Sequence, residues 1–174
     1  MRIVCFSDSH GEFFRMWEVL ERERTRGHID AVWFAGDGCE EFAVLEANCT
    51  DPLIAFLSVA GNCDRGLSAM DFPPPAVRVI SLPGHRALLV HGDACGASDG
   101  SAGPAALARR NGCDLVVHGH THIPRDETDR GKNGDEPPVR VMNPGSIGSP
   151  RRGGPGYGVL EITDDALAFT LRQA

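Results

Sequence analysis

The densest group of reactive side chains in this chain is His118-Gly119-His120-Thr121-His122, three imidazoles within five residues. Rings so close are costly to bury without a partner. In an extended segment His118, His120 and His122 would share one side, because strand side chains alternate with period two. Neutral imidazole is the commonest metal ligand and suits zinc, iron, nickel and manganese, so a metal ion is the natural partner for such a row. A solvated loop is the competing reading, and oxygen ligands elsewhere in the chain decide between the two.

Those oxygens are present, and they recur after apolar runs. Asp8-Ser9-His10 follows Arg2 to Phe6 at once, Gly36-Asp37 follows Ala31 to Phe34, and Gly61-Asn62-Cys63-Asp64 follows Leu53 to Val59. Asp8 alone could simply cap the next helix, and Gly, Asn and Asp are ordinary turn residues. Three successive strand ends carrying an oxygen ligand are harder to dismiss. His91-Gly92 then follows Arg86 to Val90, and the histidine run follows Asp114 to Val117. In parallel α/β sheets, ligand sites gather at these carboxyl ends.

The elements that must hold these residues are legible as patterns. Phe13, Phe14, Trp17, Val19 and Leu20 give a helical apolar face that Gly27 stops, and Glu40 to Ala47 is a second helix. With the runs above this is βαβαβ, the order of a largely parallel sheet covered by helices. After Pro73-Pro74-Pro75, the runs Ala76 to Leu82 and Arg86 to Val90 flank Pro83-Gly84 as an antiparallel hairpin. Ala102 to Asn111 is a short helix. Residues 124–138 are polar, rich in Gly and Pro and without periodicity, which predicts a mobile loop or an excursion beyond the sheet. Strands return at Val139 to Met142, Tyr157 to Ile162 and Ala166 to Leu171, the last two across Asp164-Asp165. Two sheets, each with helices outside, satisfy this order.

Bulk properties narrow the class. At 174 residues the chain is expected to be one domain, 1–174. A formal net charge of -7 argues against general nucleic-acid binding, which needs a basic surface. Six cysteines without a CxxC pair give neither a thiolate zinc knuckle nor a redox motif. With no signal peptide and no run long enough to span a membrane, a cytoplasmic protein with reduced thiols is expected.

In order and spacing, Asp8-x-His10, Gly36-Asp37, Gly61-Asn62-Cys63-Asp64, His91 and Gly119-His120-Thr121-His122 resemble the calcineurin-like metallophosphoesterases. The Gly-Asn-Cys-Asp variant and the late run Asn143-Pro144-Gly145-Ser146-Ile147-Gly148 with Pro150-Arg151 are similar to the small YfcE-like phosphodiesterase branch. The resemblance implies an α/β fold, a four-layer αββα sandwich with two mixed β-sheets. It also implies two divalent ions, one held by Asp8, His10, Asp37 and His122, the other by Asp37, Asn62, His91 and His120. Asp37 would bridge ions about 3.5 to 4 Å apart. Manganese is the first expectation for this mixed nitrogen and oxygen set, with nickel, zinc, iron or magnesium as alternatives.

The implied reaction is phosphodiester hydrolysis by in-line attack of a metal-bound hydroxide, with phosphomonoesters as a second substrate class. Asp37, Asn62 and His91 are its central residues. In many relatives a histidine after the asparagine protonates the leaving group; here Cys63 stands there, a weak donor at an ordinary thiol pKa near 8.5. Good leaving groups should therefore be preferred. A small phosphodiester is the expected partner, with no membrane and no general nucleic-acid binding, and relatives often pair, so a homodimer is the expected assembly. Other readings are a metal-binding scaffold of the same fold, like a retromer subunit, and a phosphoprotein or dinucleoside polyphosphate phosphatase. The latter calls for Gly-Asp-x-x-Asp-Arg-Gly, which Gly36 to Phe42 lacks; Asp64-Arg65-Gly66 is coincidental.

Several residues stand outside this set. His118 is read as a satisfied strand-end histidine or an orienting neighbour of the ligands, and Asp64 as a backbone or ligand partner. His28 and His85 are read as surface residues, and Asp93 stands where the family pattern often has a second histidine. Gly145 shapes a tight turn. Ser146 and Arg151 are candidate substrate contacts, and Arg109-Arg110 and Arg151-Arg152 are read as solvated charge.

Overall fold

The computed structural model describes residues 1–64 and 74–174; Pro73, Arg65 and Gly66 lie outside the described residues. Strand β1 (Arg2–Phe6) leads to helix α1 (Phe13–Arg26), β2 (Ala31–Phe34), α2 (Cys39–Asn48) and β3 (Ala55–Ser58). A hairpin of β4 (Val77–Leu82) and β5 (His85–Val90) follows, then α3 (Ala102–Arg110) and β6 (Leu115–His118). The chain closes with β7 (Arg125–Asp129), β8 (Val139–Asn143), β9 (Gly156–Ile162) and β10 (Leu167–Gln173). One five-stranded sheet has the order β10-β9-β1-β2-β3, the other β4-β5-β6-β8-β7. Strands β1, β2 and β3 are mutually parallel, as are β5, β6 and β8, while β4, β7 and β9 join them antiparallel.

Alternation along each strand sorts the side chains into layers. Ile3, Cys5, Ala31, Trp33, Leu115 and Val117 meet in one core with Ala87, Leu89 and Leu160, between the two sheets. Their neighbours Val4, Phe6, Val32 and Phe34 face the other way and pack with Met16, Val19 and Leu20 of α1 and Phe42 and Leu45 of α2. Leu88, Val116 and Val141 cover the far face of the second sheet with Ala105 and Ala108 of α3. The result is the expected α/β, four-layer αββα sandwich with two mixed sheets. Apolar runs such as Ile3 to Phe6 are continuous because parallel strands are covered on both faces. No helix among the described residues is long and apolar enough to cross a membrane.

Three expectations are corrected. Residues 124–138 are not loop throughout: β7 pairs with β8 from Arg125↔Asn143 to Asp129↔Val139 and forms the sheet edge. Its sequence, Arg-Asp-Glu-Thr-Asp, is almost all charge, so backbone pairing with β8 overrides a poor strand propensity. Arg109 is not solvated charge. Its Nε donates to the Pro137 carbonyl at 2.8 Å, Nη2 reaches Asp129 Oδ1 at 2.7 Å and Nη1 reaches Glu136 Oε2 at 2.6 Å, tying α3 to that segment. Finally, the histidine run is not extended, since β6 ends at His118 and both His120 and His122 have positive φ.

Candidate metal centre

All the candidate ligands emerge where a strand stops. Asp8 and His10 follow β1, Asp37 follows β2, Asn62 follows β3, His91 follows β5, and His120 and His122 follow β6. Among the described residues, non-glycine positive φ occurs at Asp8, His10, Asp37, His120 and His122, with values of 53°, 44°, 61°, 68° and 57°. Left-handed backbone costs any residue with a Cβ, Asp and His less than most, and five such residues in one place point to surroundings that enforce it. Every one of the five belongs to the candidate ligand set, so the backbone strain is confined to the site.

The loops interlock closely. A Cβ on Gly119 would stand 1.8 Å from Ser7 Oγ and 2.6 Å from Asp8 Oδ2, and one on Gly61 would stand 2.1 Å from Asp37 Oδ1. Both positions therefore require glycine for close approach. Asp37 Oδ2 lies 3.3 Å from His91 Nε2, and Asp37 Oδ1 accepts from the Cys63 backbone N–H at 2.7 Å. Asn62 Oδ1 lies 3.2 Å from His91 Nε2 and 3.0 Å from His120 Nδ1. On the other side, His122 Nε2 stands 3.1 Å from Asp8 Oδ1 and 3.3 Å from His10 Nε2. Asp8, His10 and His122 thus form one group whose ligand atoms lie within 4.8 Å of one another; Asp8, Asp37 and His91 form a second, and His10, Asp37 and Cys63 a third.

Whether a cation fits is answered by the hydrogen bonds. His91 Nδ1 donates to the Ala35 carbonyl at 2.7 Å, and His122 Nδ1 donates to the Ser149 carbonyl. In the neutral tautomer each Nε2 then presents a lone pair, and each lone pair faces a carboxylate. Asp8 Oδ2 accepts from Ser7 Oγ and the His120 backbone N–H, whereas buried Asp8 Oδ1 accepts from no fixed donor and faces His122 Nε2 at 3.1 Å. Acceptors aimed at acceptors in a buried site need positive charge between them. A proton can supply it at one pair; a divalent ion supplies it for several at once, with the rings already oriented through their other nitrogens. The residues present fit a metal.

The electrostatics agree. Burial pushes the Asp37 carboxyl up, but a hydrogen bond and positive charge from protonated His91, with the bond from Cys63, outweigh it and hold it below the usual carboxylate range. Asp37 is ionised at neutral pH. Burial lowers His91, yet the bond to Asp37 and the charge of Asp8 leave its pKa raised; His122 is raised chiefly by its bond to Asp8. His120 is lowered by burial and by His91.

Other residues take supporting places. Ser146 is buried; its hydroxyl donates to the Asp8 carbonyl at 2.8 Å and accepts from Ser149 N at 2.7 Å, so it braces the site instead of facing substrate. Asn143 donates to the Gly119 carbonyl at 3.0 Å and to Thr121 Oγ1 at 3.1 Å, and accepts from Gly145 N at 2.8 Å. His118 is fully buried, pushed down to about 4 by burial, with Nε2 unpartnered, and so is not a satisfied histidine. His85 pairs with Asp114 at 2.5 Å, and Asp93 opens a single 3-10 turn after Gly92. Arg151 is exposed, its backbone N–H bonded to the His122 carbonyl at 3.3 Å. The carbonyls of Ala35 and Ser149, which orient two imidazoles, carry no side-chain signal by which a sequence could reveal them.

Comparisons with known proteins bear on this arrangement. A family model described as the calcineurin-like phosphoesterase superfamily domain matches residues 1–165. The probable metallophosphoesterase YsnB of Bacillus subtilis is 30% identical over 169 residues, 95% of this chain and 87% of that protein. Phosphodiesterase YfcE of Escherichia coli is 35% identical over 109 residues, 60% of this chain and 52% of its own length. Among solved structures, a predicted phosphoesterase from Streptococcus pneumoniae matches with a TM-score of 0.71 at 26% identity, covering 99% of this chain and 88% of that one. Vps29 of Entamoeba histolytica, solved with zinc, matches with a TM-score of 0.71 at 21% identity over 99% and 97% of the two chains, a likeness of fold. Since the family model runs through every strand-end ligand from Asp8 to His122, this chain belongs to the calcineurin-like phosphoesterase superfamily.

Proposed function

We propose that this protein is a cytoplasmic, metal-dependent phosphodiesterase, a single domain over residues 1–174 that hydrolyses small phosphodiesters and, secondarily, phosphomonoesters. The observation that carries the reading is the pair His91 and His122, each fixed by a backbone carbonyl with its free nitrogen against a carboxylate. Asp8, His10, Asp37 and His122 would hold one divalent ion, and Asp37, Asn62, His91 and His120 a second, with Asp37 common to both and manganese the favoured metal. Ions so held activate water at neutral pH and polarise phosphoryl oxygens.

The chain's own residues do the rest. Asp37, ionised and buried, supplies the negative charge that gathers cations, while neutral Asn62 adds an oxygen without further charge. Gly119 and Gly61 let the loops close around the site. Cys63 is exposed beside Asp37, and its thiol is pushed up to about 11 by the hydrogen bond to Asp37 and by partial burial. A donor that weak favours leaving groups that need no proton. Cys63→His is expected to raise turnover of alkyl-leaving-group diesters by about tenfold or more while changing aryl diesters little. Unchanged alkyl turnover removes the leaving-group argument.

The substrate is read as a small phosphodiester, with no membrane and no general nucleic-acid partner, and the assembly as a homodimer. A metal-binding scaffold is the alternative, since Vps29 shares the fold. The complete ligand set favours catalysis. The deciding experiment is hydrolysis of bis(p-nitrophenyl) phosphate by metal-stripped protein with manganese, nickel, zinc or magnesium added back. Manganese is expected to restore turnover best; no turnover with any of the four sinks the catalytic reading.

A further inference from the structure

We propose that Asp64 is a positioning residue for the centre: its carboxylate fixes the backbone that presents Asp37 and thereby sets how tightly the site holds a divalent cation. This rests on the metallophosphodiesterase reading and adds a residue to it. The carboxylate collects donors from two strand-end loops. Oδ2 accepts from the Asp37 N–H at 2.7 Å, the Gly61 N–H at 2.7 Å and the Cys39 thiol at 3.1 Å. Oδ1 accepts from the Gly38 N–H at 2.8 Å and the Cys39 N–H at 3.0 Å. Gly38 and Cys39 begin α2, where backbone N–H groups lack intrahelical partners and negative charge is welcome.

The consequence for Asp37 is geometric. Its φ of 61° is a conformation the chain holds only under constraint, and Asp64 takes its backbone N–H directly. On the side-chain end, Cys63 N–H holds Asp37 Oδ1. Asp37 is therefore gripped at both ends from the loop after β3, which also carries Asn62. Only an acceptor can do this work, because all five groups facing Asp64 are donors. An asparagine would turn its NH2 against at least one of them.

The test is calorimetric titration of the full-length, metal-stripped chain with Mn2+, beside kcat and KM for bis(p-nitrophenyl) phosphate and thermal unfolding in chelator. Asp64→Asn is expected to weaken Mn2+ binding roughly 10- to 100-fold. With Mn2+ saturating, kcat falls while KM stays near wild type, and Asp64→Glu, which keeps the charge but displaces it, recovers part of both losses. A merely structural role would lower the unfolding temperature and leave Mn2+ affinity of the folded variant unchanged, so an affinity within about threefold of wild type overturns the proposal. If Asp64→Asn does not fold without metal, Asp64→Glu is titrated in its place, and failure of both to fold assigns Asp64 to folding and also overturns it. Wild-type protein that binds Mn2+ yet hydrolyses nothing ends the phosphodiesterase reading, while the titrations still judge Asp64.

Discussion

Asp37→Asn is expected to lower kcat/KM for bis(p-nitrophenyl) phosphate by more than about 100-fold and to reduce metal content in the same protein, because loss of partners beyond the ligands alone costs 10- to 100-fold. The substitution keeps shape and removes charge. Asp37 is nearly buried, with Oδ2 3.3 Å from His91 Nε2 and Oδ1 bonded to the Cys63 N–H. An asparagine must direct its NH2 either at that N–H, setting donor against donor, or at His91, taking the lone pair that a cation would use. The first orientation mismatches a buried polar group, the second occupies the nitrogen that a cation would need, and in both the negative charge is gone from between Asp8, His10 and His91. Metal content by mass spectrometry and activity at saturating Mn2+ check both halves. Wild-type metal content with activity within about tenfold of normal would sink the assignment of Asp37 as the shared ligand.

How much of this was legible in the sequence depends on what kind of force positions each residue. Strands β1, β2 and β6 are readable because burial on both faces demands unbroken apolar runs, as in Ile3 to Phe6. The site is readable because each such run is followed at once by Asp, His or Asn, and chain order fixes which strand ends carry them. The local shape of the site is not readable. Asp8, Asp37 and His120 bear positive φ although nothing in an aspartate or histidine demands it. The neighbouring glycines, Gly36 and Gly119, hint only that backbones come close.

Partners supplied by the backbone are equally silent. The orientation of His91 depends on the carbonyl of Ala35, 56 positions away, and that of His122 on Ser149. Arg109 reads as solvated in the sequence because its acceptors, Asp129, Glu136 and the Pro137 carbonyl, lie in a segment without periodicity. Strand β7 was hidden by its charges for the same reason: its pairing with β8 is a tertiary fact.

Glu23 is the residue for which the largest stability effect is expected. It lies on the buried face of α1, in register with Met16, Val19 and Leu20, where a helical pattern calls for an apolar side chain. Its side chain is fully buried against Arg2, Arg172 at 2.7 Å, Arg26 at 2.5 Å and the Tyr157 hydroxyl at 2.6 Å. One carboxylate thus ties α1 to β1, β9 and β10. Glu23→Ala leaves the guanidinium of Arg172 without its counter-charge and Arg2 with the longer 3.6 Å contact to Glu161, at a cost of about 3 to 5 kcal/mol.

The pH dependence has a definite sign. Burial raises the Glu23 pKa, but hydrogen bonds from Tyr157 and Arg172 and the charges of Arg172 and Arg2 outweigh it and hold it below the ordinary 4.5. A group whose pKa falls on folding contributes stability that is complete above its unfolded value and is lost as pH drops through its folded value. The stability gap between wild type and Glu23→Gln, measured by urea unfolding, should therefore be widest near neutral pH and shrink below about pH 4.5 as the carboxylate is protonated. A gap that is equal at pH 7 and well below pH 4 would mean that shape and neutral hydrogen bonding, not charge, hold Glu23 in place.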